Sequence, residues 1–292
     1  MDHVKKNLKW YLLGVLALAT LFIWGIVLAE GKEGVLTVAF LDVGQGDSIY
    51  IEAPNGNQVL IDGGPDKKVL RALGEIMPFY DHSIDVIVAT HPDKDHIGGL
   101  PLVLENYSVE AIIESEAGSK TNTYRELQNI IADQGLTRIL GRRDVIIVLD
   151  EKRGVYLRVL FPDQDVNDWD ANEASVIIRL VYGENSFLFP GDTPQSIENY
   201  LTYLERNSSD GGLKSDVLKV GHHGSKTSTS PFFIAKVRPA YAIISAGENN
   251  RYGHPNREVL EVLKNSKAKI LTTYEEGTII FQSNGETITL KK

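Results

Sequence analysis

No cysteine occurs anywhere in the 292 residues. Disulfides are therefore excluded, and so is every thiolate metal site. Any bound ion must be held by imidazole, carboxylate, amide or backbone oxygen. Positive charge is also scarce: 30 Lys and Arg stand against 39 Asp and Glu, a formal net charge of -9, which argues against a broad nucleic-acid-binding surface. The lack of cysteine is compatible with export. Fixed-period repeats are missing, and so are low-complexity tracts. The balance of 42% hydrophobic and 24% charged residues is that of a chain that folds around a sizeable core rather than a disordered one.

One long apolar run is present. Residues 10–29 read WYLLGVLALATLFIWGIVLA, without a charge. As a helix this run covers about 30 Å, the hydrocarbon thickness of a bilayer. Lys5, Lys6 and Lys9 precede it, so the positive-inside rule assigns residues 1–9 to the cytoplasm and the rest of the chain to the far side of a cell membrane. Trp10, Tyr11 and Trp24 suit the membrane interfaces. A cleaved signal peptide, cut after Val27-Leu28-Ala29, would instead release a secreted protein. The run is longer than most signal-peptide cores, which favours a single-pass anchor; a buried soluble helix is the remaining alternative. Residues 30–34 then form a linker, and residues 35–292 form one extracytoplasmic domain.

Past Gly34, short β-rich runs alternate with turns and amphipathic patterns. Strands are expected at 35–42, 48–53, 58–62, 84–90, 109–114, 144–149, 155–161, 175–182, 186–189, 216–220, 241–245, 269–274, 278–282 and 287–290. Helices are expected at 66–76, 98–106, 121–133, 193–206, 231–237 and 255–264. Pro54-Asn55-Gly56-Asn57 reads as a hairpin turn, and Thr193-Pro194 as a cap followed by a proline in the first turn. Residues 162–172 are a polar loop with four aspartates. Two clusters of strands, each carrying helices, imply two packed sheets with helices outside.

Residues 89–99 read ATHPDKDHIGG. They place His91, Asp93, Asp95 and His96 within six positions, after an apolar strand and before Gly98-Gly99. No single regular element aims all four at one ion, but a curled loop can split them into pairs for two ions. The glycines let the following helix begin close by without side-chain crowding. Imidazole and carboxylate without thiolate suit zinc, manganese or iron. Two later strands end similarly. FPGD finishes in Asp192, a carboxylate able to bridge two ions or to cap a helix. GHHGS offers His222 and His223 between glycines, where adjacent histidines rarely serve packing. Because these groups come from both halves of the chain, one domain must bring them together.

HPDKDHIGG, FPGD and GHHGS, in that order and spacing, resemble the metallo-β-lactamase superfamily, whose signature has the form His-x-His-x-Asp-His. FLDVGQGDSIYIEAPNGNQVLIDGG, NEASVIIRLVYGENSFLFPGD and NRYGHPNREVLEVL are similar to its ComEC-type branch, the extracytoplasmic hydrolase-like domain of the bacterial competence DNA-uptake protein. The likeness runs from about Val35 to the C-terminus. It implies an α/β (α+β) fold, a four-layer αββα sandwich with a site for two divalent metal ions, zinc or manganese, at one edge. By motif position His91 and Asp93 bind the first ion, Asp95, His96 and His223 bind the second, and Asp192 bridges both. The chain departs from the superfamily pattern in two places. Asp93 replaces the second histidine of the signature, and the histidine ahead of the Gly-Asp strand is missing, with Asn172 or Ser175 near its place. The first site is therefore more oxygen-rich, which favours manganese or leaves that site partly empty.

The resemblance also implies a mechanism in which bound ions acidify a water from a pKa of about 15.7 toward 7. Asp95, His222 and His254 are the expected catalytic residues, with His254 of RYGHP supplying a proton to the leaving group. Its alternative role is to cap the helix after Pro255. Gln45, Asp47, Asn172 and Ser225 are expected to touch substrate, and Lys226, Thr227 and Ser228 to contact phosphate. The expected function is a membrane-anchored, extracytoplasmic phosphodiesterase or nuclease with DNA as the first candidate polymer. One apolar segment cannot form a DNA-uptake channel alone, so the protein assists such a channel or works independently of it. Two alternatives stay open. One is hydrolysis of cell-wall phosphodiesters by a phosphorylcholine-esterase-like site, with Trp169 in a cationic-headgroup pocket. The other is a degenerate, non-catalytic binding domain.

Overall fold

The computed structural model describes residues 2–30, 34–208 and 211–291. The chain begins with α1 (Asp2–Glu30). Within it Asn7–Gly25 is long and apolar enough to cross a membrane, and none of that segment is buried against the rest of the protein.

Then follow β1 (Leu36–Phe40), β2 (Ile49–Glu52), β3 (Gln58–Ile61), α2 (Lys68–Ile76), β4 (Ser83–Ala89), α3 (Lys94–Ile97), α4 (Leu100–Asn106), β5 (Ser108–Glu114), α5 (Asn122–Gln134) and β6 (Thr137–Leu140). The second half holds β7 (Ile146–Asp150), β8 (Val155–Phe161), β9 (Ile177–Tyr182), β10 (Asn185–Phe189), α6 (Gln195–Leu204), β11 (Val217–Lys219), α7 (Pro231–Val237), β12 (Tyr241–Ile244), α8 (Arg257–Asn265), β13 (Lys269–Thr272), α9 (Thr273–Glu276), β14 (Ile279–Ser283) and β15 (Ile288–Lys291).

Among the described residues the strands form two sheets. The first has eight strands in the order β15-β14-β1-β2-β3-β4-β5-β6, and the second has seven in the order β13-β12-β11-β10-β9-β8-β7. Their inner faces share one core, in which Val38, Phe40 and Phe281 meet Leu180, Phe187 and Phe189. The outer face of the first sheet packs on α2, α4 and α5 through Leu60, Ile87, Leu73, Leu100 and Ile131. The outer face of the second packs on α6, α7 and α8 through Leu188, Leu218, Leu201, Phe233 and Leu263. The fold is thus the expected four-layer αββα sandwich, with each helix burying one apolar stripe.

Within each sheet one half is parallel: β3 through β6 in the first, β10 through β13 in the second. Parallel strands need covered crossovers, so their carboxyl ends open on one edge, where loops are free to carry function. β4 becomes fully buried toward that end, delivering His91 into the interior.

The structure differs from the expected elements in five places. Thr193 does not cap α6: Pro194 holds the cap position and Thr193 Oγ1 donates to Pro190 O. The helix expected at 98–106 is preceded by the one-turn α3, so His96 and Asp95 sit on a helix rather than on a loop. Gly98 and Gly99 mark a close backbone approach: a Cβ there would lie 2.3 Å from Pro65 O and 2.2 Å from Gly63 O respectively. Their role is packing against the 63–65 backbone rather than making room beside the ligands. β6 had no expectation because, as a largely exposed edge strand, it carries no apolar alternation. The strand expected at 269–274 stops at Thr272, where α9 begins.

Candidate metal centre

The parallel strand ends bring four segments together. His91 follows β4, Asp95 and His96 lie on α3, Asp192 follows β10, and His222 and His223 follow β11. His222 and His223 occupy left-handed backbone, with φ of 47° and 53°, costing on the order of 1–3 kcal/mol each. The turn is held by His222 N–H donating to Gly191 O at 3.1 Å, which ties the two ligand-bearing loops of the second sheet to each other.

Each buried imidazole is oriented by what its Nδ1 meets. His96 Nδ1 lies 2.7 Å from Asp62 Oδ2, and His223 Nδ1 lies 2.9 Å from Ser245 O. When these rings are neutral, donation to these acceptors makes Nε2 the nitrogen free to ligate. Those two Nε2 atoms face each other at 3.3 Å, and each lies 3.3 Å from Asp192 Oδ2. Asp95 Oδ2 completes the group, 3.4 Å from His223 Nε2. Asp192 Oδ1 is buried without a hydrogen-bonding partner, as suits a carboxylate with a second oxygen to offer.

Two Nε2 atoms and two carboxylates converge at such distances only with positive charge among them, supplied by a proton on each ring or by an ion in their place. The electrostatics agree. Burial alone would strip His96 and His223 of their protons, but Asp192 outweighs it, helped by Asp62 at His96 and Asp47 at His223, and holds both well above the usual imidazole range. For Asp192 and Asp95, burial is likewise outweighed by the same imidazoles, and both carboxyls are held below their ordinary value. The pocket selects for a cation, and this donor set of two imidazole nitrogens and two carboxylates fits a divalent ion of the zinc or manganese kind.

His91 lies beside this group, its ring centroid 4.0 Å from that of His96. Its Nδ1 contacts Thr90 Oγ1 at 3.0 Å, and that hydroxyl also bonds Asp62 Oδ2 at 2.7 Å. Its Nε2 is buried without a hydrogen bond, and Asp93 Oδ2 stands 3.9 Å away. Burial, then the neighbouring His96, pushes His91 down to about 3, so the ring is neutral and able to ligate. Ser175 Oγ, also buried and partnerless, lies against Gly191 beside Asp192. Asn172 shares a partnerless buried Oδ1, and its N–H bonds its own loop at Asp170.

Asp47 was expected to touch substrate, but it is 2% exposed. With His96, Asp192 and His223 it forms a group whose atoms lie within 4.8 Å of one another. It approaches the Nδ1 edges of both rings, at 3.3 Å from His223 and 3.9 Å from His96, and its other contact is the buried Lys219. Asp47 therefore stands behind the imidazoles, opposite Asp192. Burial raises its carboxyl, but Lys219 and His223 outweigh this and bring it down to about 2. Asp62 and Lys219 were not singled out from the sequence. The signals were an aspartate ending a buried strand in LIDGG and a lysine inside the apolar run VLKV.

His222 borders the group from its solvent side, its Nε2 3.6 Å from Asp192 Oδ2, and His254 packs edge-on against it at 5.7 Å. His254 Nδ1 has no hydrogen-bonding partner. Burial holds both imidazoles below the usual range. Gln45 reaches the same rim, accepting from Gly247 N at 3.2 Å. Other expected contacts fall elsewhere. Ser225 is buried and bonds Thr227 Oγ1. Ser228 is buried and donates to Thr193 O at 2.6 Å, so it braces a loop instead of facing phosphate. Trp169 packs against Phe161 at 6.2 Å, in the second sheet's outer core rather than in a headgroup pocket.

Residues 41–248 match the family model of the metallo-beta-lactamase superfamily. The chain belongs to the metallo-β-lactamase superfamily. Within the superfamily it is of the ComEC type. It is 31% identical over 280 residues to ComE operon protein 3 of Bacillus subtilis, covering 90% of this chain and 34% of that protein. It is 33% identical over 244 residues to Recombination protein 2 of Haemophilus influenzae, covering 82% of this chain and 28% of that protein. The chain thus spans about a third of the length of these curated relatives. The metallo-β-lactamase fold protein YhfI of Bacillus subtilis superposes with a TM-score of 0.57 at 11% identity, covering 85% of this chain and 99% of that one, a likeness of fold alone.

Proposed function

We propose that this metallo-β-lactamase-fold protein is a metal-dependent phosphodiesterase acting on DNA, held at the outer face of a cell membrane by α1. The observation that carries the reading is the convergence of two oriented Nε2 atoms on Asp192 Oδ2. Asp95, His96, Asp192 and His223 hold one ion, and His91 and Asp93, with the free oxygen of Asp192, are the candidates for a second. A divalent ion bound there supplies Lewis acidity toward a phosphoryl oxygen and a lowered pKa for water.

The chain's own residues do the rest. Asp62, Thr90 and Ser245 O fix the ligand rings. Asp47 and Lys219 balance charge behind them. His222 and His254, on the open side, are the imidazoles able to pass a proton to a departing alkoxide. The name of the relative Recombination protein 2 and the ComEC-type motifs favour DNA as polymer. The packing of Trp169 on Phe161 removes that residue from the choline-headgroup reading.

The test is metal quantitation on the purified chain, followed by assays with manganese and zinc on single-stranded DNA, duplex DNA and bis-p-nitrophenyl phosphate. Asp192→Ala and His96→Ala should each abolish turnover while preserving the far-ultraviolet spectrum. Full activity in either variant refutes the assignment. A chain that binds no metal and cleaves none of the three substrates is a degenerate binding domain instead.

A further inference from the structure

Beside the metal centre lies an open groove of about 460 Å³, whose eight lining residues include Gln45, Lys68, Lys94, Asp95, Arg251 and Tyr252. Its charge runs against that of the molecule. The chain carries a net charge of -9, yet three of the eight lining residues are cations, and the one carboxylate among them, Asp95, turns toward His223. Lys68 and Lys94 are exposed and form no ion pair with another described residue. They stand at the first positions of α2 and α3, so both ammonium groups are offered to the groove from helical backbone.

The 250–252 loop adds an aromatic to the lining and is held by its own hydrogen bonds. The Arg251 guanidinium sits over the Tyr252 ring at 4.8 Å, and Tyr252 is 50% exposed. Asn250 braces the loop: its Oδ1 accepts from Tyr252 N and His254 N, and its Nδ2 donates to Gly247 O and His254 O. Tyr252 stacks on His254 at 5.7 Å, and His254 packs on His222, whose Nε2 faces Asp192. The groove and the centre are therefore one continuous surface.

Cations spaced along a channel with an aromatic beside them bind a polyanion that also presents free ring faces. In a duplex the base faces are stacked on each other, whereas in an unpaired strand they are available. We propose that this groove binds an unpaired polynucleotide strand, with Lys68, Lys94 and Arg251 on phosphates and Tyr252 with Arg251 as the platform for a base. The proposal rests on the phosphodiesterase reading and names the form of its substrate.

Binding, not turnover, tests it. The full chain in detergent, with EDTA present so that no strand is cut, is titrated into three fluorescein-labelled polymers: an oligothymidylate of about 16 nucleotides, a duplex of equal length, and an abasic strand. The wild type should bind the oligothymidylate most tightly. Tyr252→Ala should weaken that binding by about 5- to 150-fold while leaving the duplex and the abasic strand unchanged. Lys68→Ala and Lys94→Ala should weaken all three alike, each lowering the salt slope for the single strands by about 0.7. Equal wild-type affinity for duplex and single strand, or no effect of Tyr252→Ala, overturns the proposal. Hydrolysis of bis-p-nitrophenyl phosphate, which has no base and spans no groove, separates the two readings. Turnover of that ester with groove-independent binding leaves the phosphodiesterase standing and removes the groove. Groove-dependent binding without turnover does the reverse.

Discussion

An imidazole offers an ion one lone pair, and the nitrogen that carries it is decided by what the other nitrogen donates to. Asp62 decides this for His96, and it does so from a fixed place: its carboxylate also accepts Thr90 N at 2.8 Å and Thr90 Oγ1 at 2.7 Å. Asp62→Asn keeps the shape but presents amide hydrogens or a weaker acceptor to Nδ1. Metal affinity measured by chelator competition should fall about 10- to 100-fold, with the far-ultraviolet spectrum unchanged; an unaltered dissociation constant would remove Asp62 from the centre. The candidate ligands were legible because they crowd a few positions after apolar strands. Asp62 and Lys219 were not identified, and Asp47 was read as a substrate contact instead of a brace, because a single acid or a single lysine has the same local appearance whether it braces a ligand or meets water. Only the tertiary contact tells them apart, and for Lys219 that contact is a buried carboxylate it partly neutralises.

At the scale of elements, periodicity revealed the buried strands and the amphipathic helices, and it failed where burial did not set the pattern. β6 is an edge with little to bury, and α3 is a single turn too short to show a period. α6 carries a feature that periodicity hides. Glu198, on its buried face, accepts from Thr229 N at 2.6 Å and Ser230 N at 2.7 Å, clamping the loop that opens α7. Burial outweighs these bonds and raises its carboxyl from 4.5 to about 7. Because the folded state then holds the proton more tightly than the unfolded chain, this group's contribution is complete below pH 4.5 and is lost as pH rises through 7. Urea unfolding of the EDTA-treated chain should therefore show stability falling by up to about 3 kcal/mol across that window from this residue. Glu198→Gln should flatten that part of the difference curve while lowering stability at the acidic end, where one clamp bond is lost. A variant whose pH dependence matches the wild type would show that Glu198 does not titrate in this range.

At the scale of the molecule, two packed sheets were legible because strand clusters with helices occur twice in the chain, and the site had to lie between them because its ligands come from both clusters. What the sequence could not reveal is that the centre joins the sheets mechanically. Asp95 and His96 follow β4 of the first sheet, and Asp192 and His223 follow β10 and β11 of the second. The inner core already holds the sheets together, so removing an ion should loosen this edge without dissolving the fold. EDTA should lower the Tm with little change in far-ultraviolet signal. Restoring manganese or zinc to about 100 times its dissociation constant should return about 2.7 kcal/mol, or roughly 5–11 °C for a domain of this size. Asp192→Ala should lose that metal-dependent increment, because it removes the carboxylate that both Nε2 atoms face. Asp93→Ala should keep most of it, because Asp93 is half-exposed and approaches only His91, at 3.9 Å. If Asp93→Ala instead loses the full increment, the tighter ion sits with His91 rather than with His96 and His223, and the order of the two sites is reversed.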